Sequence, residues 1–174
     1  MPNPACSGLA LLAADATVRR RPPSHAMIDT THLESLKWEF LASCDLDYSC
    51  LSTLVDIVRE AGVADDAVQN AALAVLQSLL PPGLIEAGFP EGCENAAFHP
   101  IPPEELEAAF ARMAADIGRD WPFFPWATSP EASLVRIASE WRALGRDPTY
   151  NEIAWFRATQ KGSSAFRAYR ASFQ

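Results

Sequence analysis

The sequence is poor in the materials of metal sites, disulfide scaffolds and nucleotide-binding loops. Its four cysteines, Cys6, Cys44, Cys50 and Cys93, fall at irregular spacings with no C-x-x-C pair, so neither a zinc site nor a thioredoxin-type redox site is encoded. Four cysteines in 174 residues are too sparse to staple a small fold. Free thiols in a reducing cytoplasm are expected, with a Cys44–Cys50 bridge left open. None of the eight glycines belongs to a G-x-G-x-x-G or P-loop pattern, and G-x-S-x-G and H-E-x-x-H are missing too. The histidines His25, His32 and His99 are scattered; His99 comes near Cys93 and Glu94, but no third group stands ready to orient such a pair. Asp45-x-Asp47 matches only the opening of a calcium loop, without its glycine and later ligands. The chain is accordingly read as a non-enzyme with no catalytic, cofactor-binding or metal-ligating residue. No apolar run approaches the roughly 18–20 residues that span a bilayer, so no membrane association is expected.

Positive charge is scarce as well. Lysine and arginine number 14 against 22 aspartates and glutamates, a formal net charge of -8. That balance argues against direct binding to nucleic acid or to an anionic membrane surface. Apolar residues, by contrast, make up 49% of the chain. This excludes a wholly disordered polypeptide, and the length suffices for one domain with a real core.

Residues 1–26 differ from the rest. Leu9, Leu11 and Leu12 form a short apolar patch, but Arg19, Arg20 and Arg21 follow it instead of preceding it, the reverse of a secretory signal. Pro2, Pro4, Pro22 and Pro23 discourage helix. A flexible leader is expected there, or an annotated start upstream of the real one. Residues 27–174 read as a single helical domain, with two lobes, 27–101 and 102–174, as a finer division.

Helical spacing recurs through that domain. A capping box of Thr31 and Glu34 opens a helix to about Ser43, with Leu33, Leu36, Phe40 and Leu41 on one face. Leu51, Leu54, Val55 and Val58 mark a second helix from Ser49 to Ala61, closed by Gly62. A third runs from Asp65 or Asp66 to Leu80 and stops at Pro81-Pro82. The apolar stretch between Gly83 and Phe89 predicts one small strand or hairpin. A fourth helix follows Pro102-Pro103 with Glu104, Glu105 and Glu107 at its positive end. Ser129-Pro130 opens another, ended by Gly145; a Thr149/Glu152 capping box predicts a further helix, and Ser163 a last one. The expectation is a mainly α protein of six to seven helices whose first half is winged-helix-like.

Charge is distributed unevenly along the chain. Residues 27–120 carry 17 acids and 4 bases, whereas 157–174 carry four bases and no acid. Acidic helix faces are usually just solvated. The sharper reading is a surface that docks on a basic protein, since charge complementarity speeds encounter and fixes orientation. The candidate docking residues are Glu34, Glu39, Asp45, Asp47, Asp56, Asp65, Asp66, Glu104 and Glu105. Trp121, Phe123, Phe124 and Trp126 crowd into six residues; burying each ring is worth on the order of 1.5–3 kcal/mol. That loop therefore fills a groove or meets a partner, and Trp121, Phe124 and Trp126 are the candidate anchors.

The stretch from Glu140-Trp141 through Leu144-Gly145-Arg146-Asp147-Pro148 to Glu152-Ile153-Ala154-Trp155-Phe156 resembles the E-W-x-x-L-G-R-x-P-x-x-x-E-I-x-W-F ending of small uncharacterised bacterial proteins. In them a winged-helix-like half precedes the motif. The resemblance covers roughly residues 47–160 and implies no activity and no site residues. In size, acidity and want of catalytic motifs the chain is also similar to the small acidic immunity partners of antibacterial toxins. That likeness implies a non-enzymatic protein that covers the active cleft of a basic, secreted toxin domain. The alternatives are a winged-helix-like regulator or adaptor, disfavoured because the Asp65–Leu80 segment has no lysine or arginine, and an inhibitor that mimics DNA.

Overall fold

The computed structural model describes residues 30–91 and 122–173. In chain order these form α1 (Thr30–Leu46), β1 (Ser49–Cys50), α2 (Leu51–Glu60), α3 (Val68–Leu79), β2 (Ile85–Pro90), β3 (Phe123–Pro125), α4 (Pro130–Leu144), β4 (Trp155–Ala158) and α5 (Gln160–Ala171). The strands make one sheet in the order β1-β4-β2-β3, antiparallel at every pairing. The expectation of a mainly α chain with six to seven helices is therefore corrected: among the described residues there are five helices and a four-stranded antiparallel sheet, an α/β fold. The helix expected after Pro103, with Glu104 and Glu105, and the anchor candidate Trp121 lie outside the described residues, as does the leader 1–26.

The decisive correction is at Thr149–Glu152. Only half of a capping box forms: the Thr149 amide (2.6 Å) and hydroxyl (2.9 Å) both donate to a Glu152 carboxylate oxygen, while the Glu152 amide donates to the Thr149 carbonyl instead of its hydroxyl. No helix follows. Asn151 and Ile153 take left-handed backbone angles, φ 68° and 70°, which break any helical run. The chain then enters the middle of the sheet, where Trp155 pairs with Cys50 on one side and Gly88 on the other. Phe156 and Ala158 point into the main core while Trp155 joins a second cluster with Cys50 and Phe123, an alternation of period two. One further boundary moves for the same reason. Ser49 and Cys50 pair with Phe156 and Trp155 as β1, so α2 starts at Leu51 rather than Ser49. The winged-helix-like expectation for the first half is corrected too: the strand between β1 and β2 is β4, contributed by residues 155–158.

Other starts move as well: α3 begins at Val68 rather than at Asp65 or Asp66, and α5 at Gln160 behind a Thr159 cap rather than at Ser163, while several local signals operate as read. Gly62 closes α2 with φ +82°, and the Val63 amide reaches back to the Val58 carbonyl, the bond that consumes an orphan carbonyl at a helix end. The Ser129 hydroxyl accepts from the Ala132 amide, Pro130 occupies the first turn, and Gly145 ends α4 at φ +69°. The helices bury one stripe each: Leu36, Phe40, Leu41 and Cys44 from α1, Leu54, Val55 and Val58 from α2, Val75, Leu76 and Leu79 from α3, and Ile137 and Trp141 from α4. All belong to one cluster with Ile85, Ala87 and Phe156 of the sheet. The Phe40 ring meets Phe156 edge-on at 5.5 Å between centroids, a favoured aromatic geometry.

The sheet thus has a helix-packed face and a second face. The latter carries Cys50, Trp155 and Phe123, with Tyr48 beside Phe123 at 5.1 Å. Arg157 lies over the Phe123 ring at 4.9 Å and donates to Glu86, its register partner, at 2.9 Å.

Candidate functional site

Acidic side chains stand where helix electrostatics disfavour them. A helix C-terminus carries partial negative charge on its unpaired carbonyls, so a carboxylate there is repelled and a cation favoured. Yet the last turn of α1 has no base and contains Asp45, with Asp47 directly after the helix; Asp47 takes the Tyr48 amide at 2.7 Å. In α2, Asp56 and Glu60 are both exposed and one turn apart. A like-charge pair at that spacing costs about 0.2–0.5 kcal/mol, and Glu60 sits on the negative end besides. Exposed Asp65 and Asp66 follow in the connection to α3.

One base, Arg59, answers this group. It ion-pairs with Asp147 and lies 3.8 Å from Asp65, whose side chain is 94% exposed. Such an exposed contact is weak. Asp56, Glu60, Asp65, Asp66 and Asp147 thus accompany one guanidinium at the C-terminal end of α2. The other base of residues 30–91, Lys37, is held by Glu34 at 3.2 Å, and Glu39 is exposed on α1. The acidic ends of α1 and α2 are separated by the ten residues of α2, about 15 Å of helix.

The aromatic candidates are not brought beside these carboxylates. Phe124, 48% exposed, lies on β3, at the opposite sheet edge from β1, three strand spacings or about 14 Å away. Trp126 is half-buried: Phe89 packs at 6.0 Å and the Arg136 guanidinium covers its ring at 3.9 Å. Of the cations of the last segment, Arg157 lies on β4 and the others on α5, where Arg170 lies over Phe166 at 5.9 Å and Lys161 donates to the Pro82 carbonyl at 2.6 Å.

The connection from α4 to β4 is the most tightly specified segment outside the core. Arg146 grips Glu152 through two hydrogen bonds of 2.7 Å, and Asp147 reaches across to Arg59 of α2. The Arg146 guanidinium, with the Thr149 amide and hydroxyl, pulls the Glu152 carboxyl down from 4.5 to about 2. A carboxylate held below its ordinary value stabilises the fold in its ionised form. This contribution is complete above pH 4.5 and is lost as pH falls through 2. Protease sensitivity of the 145–154 segment should therefore stay flat from neutral pH down to pH 4.5 and rise as Glu152 is protonated near pH 2; in Glu152→Gln the raised sensitivity should already be present at neutral pH.

Burial pushes the Cys44 thiol far above its ordinary range, more than the Ser49 and Ser43 hydroxyls beside it pull it down. Cys44 and Cys50 are both free and buried, so they form no bridge and neither of these two thiols is exposed. No group of three or more His, Cys, Asp or Glu side chains able to hold a metal ion occurs among the described residues. No helix among them is long and apolar enough to cross a membrane.

The chain matches no family model, no curated protein and no solved structure. The sequence reading missed Glu60 and Asp147. Glu60 was legible as an acid on the last turn of a helix; Asp147 was not, because its partner Arg59 lies 88 residues away.

Proposed function

We propose that this protein is a non-enzymatic acidic binding protein, most concretely an immunity protein that neutralises a cognate antibacterial toxin by covering its basic active cleft. The supporting observation is the placement of Asp45, Asp47 and Glu60 at helix ends that repel them, with Asp56 one turn before Glu60 on the same helix. Local rules are broken where function gains from the breach. Carboxylates used only for solubility would be as well placed at helix N-termini, where they add stability. A protein that works by charge steers its partner over several ångströms and orients it before contact. Phe124, exposed at the far sheet edge, marks a separate contact rather than the centre of the acidic one.

Co-expression with the product of the neighbouring gene tests this reading. The expected result is a stoichiometric complex that abolishes the partner's toxicity and weakens steeply as salt rises, because exposed charges are screened over about 10 Å at 0.1 M. Absence of a complex, or a complex indifferent to salt, would count against it.

A further inference from the structure

The Tyr150 ring is 53% exposed, and the chain on either side of it fixes where it stands. Three residues earlier, Asp147 bonds to Arg59 in the last turn of α2. Four residues later, the Ala154 carbonyl accepts from the amide of Leu51, the first residue of α2, at 3.1 Å. The connection 147–154 therefore runs back along α2 from its end to its start. Glu60, Asp65 and Asp66 lie toward the first of these points, and Asp45 and Asp47, just ahead of β1, toward the second. Tyr150 stands on the stretch between them, its Cα within about 11 Å of that of Asp147, the most that three extended residues can span.

The ring is also held. Trp155, which it meets edge-on at 5.1 Å, is paired on both sides in the sheet. Thr149 on one side of Tyr150 bonds to Glu152, which Arg146 grips, and Asn151 on the other has a left-handed backbone, φ 68°. A side chain already fixed in place loses little freedom on binding. Tyrosine is enriched among the few residues that dominate an interface, and these sit near its centre inside a polar rim. An exposed tyrosine with carboxylates on both sides has that position.

We propose that Tyr150 is the central anchor of the acidic surface: it enters an apolar pocket on the basic partner, and lysine or arginine side chains on either side of that pocket meet the carboxylates at the ends of α1 and α2. This rests on the acidic-binding reading above and adds to it the place where the partner is gripped. Charge sets the approach, so removing the carboxylates slows association. The anchor is desolvated only on docking, so removing it speeds dissociation.

The test compares Tyr150→Ala, Tyr150→Phe and Phe173→Ala with the parent chain for binding to the product of the neighbouring gene, by surface plasmon resonance at low and high salt. Tyr150→Ala is expected to dissociate at least about 30-fold faster, with its association rate and the salt dependence of that rate unchanged. Tyr150→Phe keeps the ring and should stay within about threefold of the parent. So should Phe173→Ala, although the Phe173 ring is more exposed, at 73%, because it follows α5 and not the connection along α2. Hydroxyl-radical footprinting of the unsubstituted chain gives a second measurement that no folding defect can disturb. Tyr150 should be oxidised in the free protein and protected in the complex, with Phe173 oxidised in both. A salt-sensitive complex from which Tyr150→Ala dissociates like the parent, or in which Tyr150 stays open to oxidation, overturns this proposal and leaves the acidic reading standing. Absence of a complex, or a complex indifferent to salt, overturns both.

Discussion

Replacing Asp56, Glu60, Asp65 and Asp66 together by their amides is expected to weaken binding to the basic partner by at least about 100-fold while leaving the fold intact or more stable. Close charge pairs across an interface have coupling energies of about 1.5 kcal/mol and upward. Two such pairs at the low end give about 3 kcal/mol, and each 1.4 kcal/mol is tenfold in affinity. The stability side runs the other way. The change removes the exposed Asp56/Glu60 like-charge pair and the repulsion between Glu60 and the end of α2, so the melting temperature should stay level or rise by a few degrees. Calorimetric titration and a thermal melt on the same sample separate the two effects. Lost binding with an unchanged or higher melting temperature identifies a surface kept for recognition; a fall in both would make these carboxylates structural.

The second large effect is in the fold. Gly162→Ala should destabilise the protein by about 3 kcal/mol, the upper part of the range for forcing an atom into a packed interior. A Cβ at this position would lie 1.9 Å from the Leu84 carbonyl oxygen and 3.3 Å from a Leu41 methyl. The first is backbone and is fixed by its own bonds: the Leu84 carbonyl accepts from the Thr159 amide at 3.0 Å. The Thr159 hydroxyl caps α5 by accepting from the Gly162 amide at 3.1 Å and itself donates to the Gly83 carbonyl at 2.7 Å. Relieving the clash means lifting the whole start of α5 off the β2 strand and losing those bonds together. Urea denaturation should show a lower midpoint with a similar slope. Gly162→Ala at parental stability would mean that α5 does not approach β2 this closely.

The residues that were legible in the sequence and those that were not differ in how far apart their causes lie. Ser129 and Gly62 act through hydrogen bonds to neighbours three to five residues away, Pro130 by occupying the first turn and Gly145 through its left-handed backbone, and the ends they mark lie where local grammar puts them. The Thr149/Glu152 pair was also local, and its bond from the Thr149 amide to the Glu152 carboxylate is present, but the conformation after it was settled by Trp155 and Phe156 pairing with Cys50, Ser49, Gly88 and Ala87. Those partners lie far away in the chain, and a five-residue window centred on Trp155 contains none of them. Ile153, Trp155 and Phe156 fit a helical stripe on paper. The alternation of Trp155 and Arg157 against Phe156 and Ala158 was equally present, and tertiary pairing chose it. Of the candidate site, the acidity of α1 and α2 was legible from composition alone. The misfit of those acids with their helix ends became visible once the ends were known, since α1 runs past Ser43 to Leu46 and takes Asp45 into its last turn. The separation of Phe124 from the acids was invisible because it depends on the strand order.

The association rate constant of this protein with the product of its neighbouring gene, measured by stopped flow at rising ionic strength, bears most directly on how it works. If the carboxylates at the ends of α1 and α2 guide a cationic partner into place, the rate should fall by at least about tenfold between 0.02 and 0.5 M salt while the dissociation rate changes little. A rate that is flat across that range would contradict the account.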